Sequence, residues 1–213
     1  MTGPTNNGGI PMKLYYSPGA CSLAPHILLN EIGLQHSIEK VDLGTKKTET
    51  GADFTTINPK GYVPSLDIGG GEHFTEVATI LQYLSDKNES ANLLPKLGSM
   101  ARYRAMETLN FIASELHKGL GSLFNKALPE DARKIAIDKL GLRLTWLDGQ
   151  LAKNTHMLGN EFSAADAYAF TVLNWGQWVG VDMKPWKSIS AYMARIAARP
   201  AVQAALKAEG LVA

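Results

Sequence analysis

Tyr15-Tyr16-Ser17-Pro18-Gly19-Ala20-Cys21-Ser22-Leu23-Ala24-Pro25-His26 reads as a strand, a turn and the start of a helix. Leu14-Tyr15-Tyr16 has the aromatic and branched content of a short strand, and Ser17-Pro18-Gly19 has turn chemistry. Ala24 to Glu31 returns to helical spacing, with a proline tolerated in the first turn. Cys21, the only cysteine, therefore falls at a helix N-terminus. Unpaired backbone N–H groups and the helix dipole favour negative charge there, so a lowered thiol pKa and a reactive thiolate are expected. A small buried core residue is the alternative reading of a lone cysteine.

Beyond this stretch, His36 to Val41 alternates as a strand would, and Asp42 to Gly51 is a polar loop containing Lys46 and Lys47. Asn58-Pro59-Lys60-Gly61-Tyr62-Val63-Pro64 leads into a strand from Ser65 to Ile68, which a Gly69-Gly70-Gly71 turn links to His73-Phe74 as a hairpin. Thr75 is expected to cap a helix from Glu76 to Leu84, with Val77, Ile80, Leu81 and Leu84 on its apolar side. Strand, helix, strand, hairpin, helix is the order of a small mixed sheet with helices packed on it, as in a thioredoxin-like domain. We assign residues 12–88 to this α/β domain and residues 1–11, small and polar, to a flexible leader.

From about Leu97 strand signals nearly vanish, so Lys87 to Lys96 reads as a linker and 97–213 as an all-helical domain. A long helix from Met100 to Asn125 carries the apolar stripe Leu109, Ile112, Leu116, Leu120 and Leu123. A second stripe, Asn110, Ser114, His117 and Gly121, is polar and either borders a cleft or forms an ordinary solvated face. Pro129 opens another helix running to Lys153, with Ile135, Leu140, Leu144, Leu147 and Leu151 as core positions. Phe162-Ser163-Ala164-Ala165-Asp166 has the form of a capping box with Asp in place of Glu or Gln, a folding motif. Trp175, Trp178 and Trp186 are core residues or cleft walls, and Pro200 breaks a helical tail.

Composition narrows the function classes. Twenty-one basic residues against twenty acidic ones, with no basic run interleaved with aromatics, give no electrostatic support to a nucleic-acid or anionic-membrane partner. One cysteine excludes an internal disulfide and a cysteine-rich metal site, and fits a reducing compartment. The five histidines show no metal-ligand spacing, so no metal is expected. No segment is long and apolar enough to cross a bilayer, and the start lacks a secretory signal pattern, so a cytoplasmic protein is expected.

Five fragments in order carry a resemblance: Met12 to Ser22, Asn58 to Pro64, Thr75-Glu76, Asn110 to Lys118, and Phe162 to Tyr168. Together they resemble the bacterial beta-class glutathione transferases over Met12 to Leu211. The resemblance implies the glutathione transferase fold, an α/β N-terminal thioredoxin-like domain plus an all-α C-terminal domain, and a homodimer binding glutathione between domains. It implies that Cys21 is the signature thiol beside the glutathione sulfur and that His117 flanks the same point from the helical domain. Val63, before a Pro64 that is usually cis in such folds, would pair its backbone with the cysteinyl part of glutathione. Glu76 would take the ammonium and the Val77 N–H the γ-glutamyl carboxylate. Lys46 is placed to reach the glycyl carboxylate, Asn110 to touch the γ-glutamyl end, and Lys118 joins the binding set. The chain departs from the family at Tyr62, where Gln is more common, and at Val77, where Ser or Gly is.

The activity implied is addition of the glutathione thiolate, stabilised by first-helix N–H groups, Cys21, Ser22 and His117, to an apolar electrophile. Phe111, His117 and Trp175 or Trp178 are expected to wall the second substrate. Tyr15, Tyr16 and Ser17 are runner-up hydroxyl donors. Two other readings stand beside it. One is a glutathione-dependent thiol-disulfide or peroxide reductase working through Cys21, and the other is a non-catalytic binding protein that keeps the fold.

Overall fold

The structure, a computed structural model, describes residues 12–212; the expected leader lies outside them. Strand β1 (Met12–Tyr16) leads through the Ser17–Ser22 turn into α1 (Leu23–Ile32), and β2 (His36–Asp42) returns parallel to β1. The hairpin β4 (Ser65–Asp67) and β5 (His73–Thr75) then adds antiparallel to the other side of β1. With the short strand β3 (Lys47–Thr48) at its edge, the sheet order is β3-β2-β1-β4-β5, which puts β1 at the centre and the turn carrying Cys21 at its C-terminal end.

Two elements inside the expected polar loop and its exit were not read from sequence. A two-residue strand β3 (Lys47–Thr48) pairs antiparallel with β2, and the single turn α2 (Phe54–Ile57) is capped by Asp53, whose side chain accepts from the Thr55 N–H. The helix α3 (Val77–Lys87) buries Val77, Ile80, Leu81 and Leu84 as the spacing predicts. Thr75 does not cap it: Thr75 ends β5, and the N-cap is Glu76, held at φ +68°. A non-glycine residue there is strained.

The helical half starts with α4 (Met100–Phe111), continues without a break through a π-helical stretch at Ile112–His117, and ends as α5 (Lys118–Ser122). A single regular helix was expected over this span. The stripe Leu109, Ile112, Leu116, Leu120 and Leu123 is nevertheless buried throughout. In α6 (Glu130–Leu151), Leu140, Leu144, Leu147 and Leu151 are buried but Ile135 is exposed. Five residues before Leu140, Ile135 lies about 140° around the helix from that face, so it could not share it.

Helices α7 (Ala164–Leu173), α8 (Gly176–Val179), α9 (Lys187–Ala197) and α10 (Pro200–Ala208) complete the chain. The capping box at the start of α7 is present, and every residue of α7 is buried. One hydrophobic core runs through both halves, joining Leu14, Leu28 and Leu84 to Leu116, Phe170 and Val202, with α1 packed on α7 and α10. Arg102 on α4, 2 % exposed, fastens the halves by a two-pronged ion pair to Asp86 on α3 at 2.7 and 2.8 Å.

Candidate active site

The β1–α1 turn puts Cys21 one residue ahead of the α1 cap, at the seam between the halves. The thiol donates to the Val63 carbonyl at 3.3 Å, and the Val63–Pro64 peptide is cis. Sequence position predicts a thiol pulled down by helix-start amides. The backbone N–H groups of Cys21 and Ser22 do pull it down, but burial outweighs them and pushes it up to about 12. Cys21 is thus a neutral thiol near pH 7, which corrects the expected thiolate. Ser22 is fully buried, its hydroxyl tied to the Ser17 backbone, so it does not reach the cleft as expected.

Opposite, the π-helical stretch ends on His117. Burial, aided by the Lys118 charge, lowers its pKa to about 4, so the imidazole is neutral at physiological pH. Nδ1 lies 2.7 Å from the Tyr168 hydroxyl of α7. Burial raises the Tyr168 pKa, so the phenol keeps its proton and either donates to Nδ1 or accepts from it, according to the imidazole tautomer. Where Tyr168 donates, the imidazole proton sits on Nε2 and that nitrogen is a donor. The ring packs edge-on against Trp175 at 4.9 Å.

Cys21, Tyr62, Val63 and His117 are shared by two adjoining cavities. The first, about 610 Å³, is also lined by Pro64, Glu76, Val77, Asn110, Ser114, Lys118 and Tyr168. It holds a carboxylate, the open N-terminus of α3 and a lysine. The second, about 420 Å³, is more apolar, walled by Gly19, Leu43, Phe124, Trp175 and Trp178.

The first cavity therefore brings together eight of the nine residues singled out by the resemblance. The ninth, Lys46, lines neither cavity; its ammonium donates to the Gly61 carbonyl at 2.8 Å. Phe111 is likewise elsewhere, stacked edge-on with Trp146 in a separate hollow. Tyr15 and Tyr16 are buried in the core, and Ser17 lines the apolar cavity. Four cavity or site residues were given no role in the sequence: Tyr168, Phe124, Lys60, and Tyr62, which was noted only as a departure from the family. Tyr168 stood inside a quoted motif, five residues past Ser163, but only the fold sets its hydroxyl against His117. Glu76 already has partners, Lys60 Nζ and the Tyr62 hydroxyl, each at 2.7 Å. Lys60, the stronger influence, and Tyr62 hold its carboxyl below the usual range. Among the described residues no cluster of side chains suits a metal ion.

Comparison with known proteins gives a consistent neighbourhood. A family model for the glutathione S-transferase N-terminal domain matches residues 19–87, and one for the C-terminal domain matches residues 111–200. The glutathione S-transferase GstA of Escherichia coli O157:H7 is 44% identical, over 94% of this chain and 100% of its own length. A sphingomonad glutathione S-transferase complexed with glutathione superposes with a TM-score of 0.90 at 48% identity, covering 94% of this chain and 100% of that one. The beta-class glutathione S-transferase of Sphingomonas chungbukensis gives the same TM-score, 0.90, at 48% identity and the same coverage, 94% and 100%.

Proposed function

This chain belongs to the glutathione S-transferase family, alongside its bacterial beta-class members, and we propose that glutathione fills the polar cavity and an apolar electrophile the adjoining one. The protein is a transferase with glutathione as co-substrate. The observation that carries the division of labour is the pairing of Cys21 and His117, from opposite halves, on the wall that both cavities share.

In this reading the glutathione ammonium meets Glu76, its γ-glutamyl carboxylate the Val77 N–H at the start of α3, and Asn110 and Lys118 border that end. Its cysteinyl backbone lies along Val63, beside Pro64. Lys46 reaches the glycyl carboxylate by exchanging its Gly61 contact. The sulfur then rests between Cys21 and His117. In the tautomer in which Tyr168 donates to Nδ1, Nδ1 is occupied and Nε2 carries the proton, and burial keeps the ring from taking up a second one, so His117 is no proton acceptor. Its Nε2–H instead stabilises the thiolate, and the thiol proton passes to solvent. The thiolate attacks the electrophilic carbon, a C–S bond forms, and the leaving group departs with its electron pair. Holding both reactants across one wall supplies the rest of the rate gain.

Burial weighs against a thiol-disulfide role for Cys21, because it pushes the thiol up to about 12 and the thiolate is the attacking species in exchange. The test is calorimetry with glutathione, followed by conjugation of a chlorodinitrobenzene-type acceptor. Binding with turnover supports the reading; binding without turnover on any acceptor leaves a binding protein, and no binding removes the proposal. We also propose a homodimer, for which light scattering should give twice the 23.0 kDa chain mass, and a cytoplasmic location.

A further inference from the structure

Four residues face both cavities, and three of them, Cys21, Val63 and His117, surround the proposed sulfur position. The fourth is Tyr62, which the transfer chemistry leaves without a task. Its surroundings are built to hold it. The backbone is pinned by Asn58, whose buried side-chain amide donates to the Tyr62 carbonyl at 2.6 Å. The phenol tip is latched to Glu76 Oε1 at 2.7 Å. Lys60 Nζ takes the same oxygen at 2.7 Å and the Thr75 hydroxyl at 3.0 Å. Both donors crowd Oε1, so among the described residues Oε2 has no protein partner and remains open to a ligand cation. Glu76 itself is held in a backbone conformation that side chains seldom adopt, at φ +68°. Tyr62, 43% exposed, also lines the apolar cavity, as does Leu43.

We infer that Tyr62 is a specificity-determining residue with two separable duties: its hydroxyl orients Glu76 for the glutathione ammonium, and its ring limits the width of the electrophile compartment. The inference rests on the assignment of the two cavities above. A carboxylate accepts at several lone pairs, so the phenol and an incoming ammonium are compatible partners, and the latch survives binding. Glutathione capture and acceptor choice thereby meet in one side chain.

The two duties predict different variants. Tyr62→Phe keeps the ring and loses the latch. Its glutathione Kd and KM should rise about three- to tenfold, the range of one hydrogen bond to an exposed charge. That loss should fall on KM more than on kcat, and the ratio of kcat/KM for a three-ring electrophile over a single-ring one should stay within about twofold. Tyr62→Ala loses both, so the same rise in KM should come with a ratio shifted at least about fivefold toward the three-ring acceptor. Thermal melts of both variants, at a partly exposed position, verify folding. An unchanged glutathione Kd in Tyr62→Phe, or an unchanged acceptor ratio in Tyr62→Ala, overturns the inference while leaving the cavity assignment standing. A wild-type protein that binds no glutathione overturns the assignment and the inference together.

Discussion

Imidazoles of unfolded chains titrate near 6.5, whereas His117 stays neutral down to about 4. Below pH 6.5 the unfolded chain therefore gains a proton that the native state refuses. The contribution of His117 to stability is full above 6.5 and is lost as pH falls toward 4. Between pH 7 and 5 the wild type should lose about 2 kcal/mol more than His117→Gln, read from urea midpoints at the two pH values. Tyr168→Phe should free Nδ1 and let the ring adopt either tautomer, which ¹⁵N imidazole shifts would report, with a fall in kcat. Cys21→Ala should retain part of the conjugation activity, since a protonated thiol is not the nucleophile, while any mixed-disulfide reduction disappears. The positions of Cys21 and His117 were legible from a turn signal and a polar helical stripe. Their protonation was not: it depends on burial contributed by residues distant in sequence, and at Cys21 that burial reverses the local effect of the helix start.

Among the elements, α7 shows how a local motif acquires a larger role. The capping pattern predicts a loss of about 0.5 to 2 kcal/mol on removal. Asp166, however, also accepts from the Met157 N–H at 2.9 Å and the Tyr192 hydroxyl at 3.0 Å, besides Ser163 at 2.8 Å through its N–H and 2.7 Å through its hydroxyl. Asp166→Ala strands buried donors from three elements and should cost about 3 kcal/mol or more in urea unfolding. The elements missed in sequence were missed for physical reasons. Strand β3 has two residues and α2 four, too few for any periodicity to register. The π-helical stretch is silent because the apolar stripe runs through it uninterrupted. Its widened turns are eased locally, with the Ser114 hydroxyl donating to the Asn110 carbonyl at 2.9 Å.

Taken whole, the molecule has two layouts but one interior. The change from mixed to purely helical patterning near Leu97 is plain in the sequence, yet the core is continuous across it. Unfolding should therefore be a single transition. The chain carries convenient reporters: its four tryptophans, Trp146, Trp175, Trp178 and Trp186, all lie in the helical half, and its one thiol lies in the other. Fluorescence and Cys21 labelling should follow coincident denaturation curves, and separated curves would show independent domains. Arg102→Leu, which leaves the partly exposed Asp86 without its partner at the joint, should lower stability by about 1 to 2 kcal/mol without separating the curves.

Gly19 sits at φ +70° on the rim of the apolar cavity, and a β-carbon there would meet the Trp178 ring at 2.8 Å. Its carbonyl is held by Trp175 and its N–H by Glu209, which is buried just past the last helix and also engages His26. Glu209 thus steadies the Gly19 edge of the apolar cavity. Trimming the chain ahead of Glu209, or crowding its tail with a fused partner, should dull acceptor turnover before it disturbs glutathione uptake.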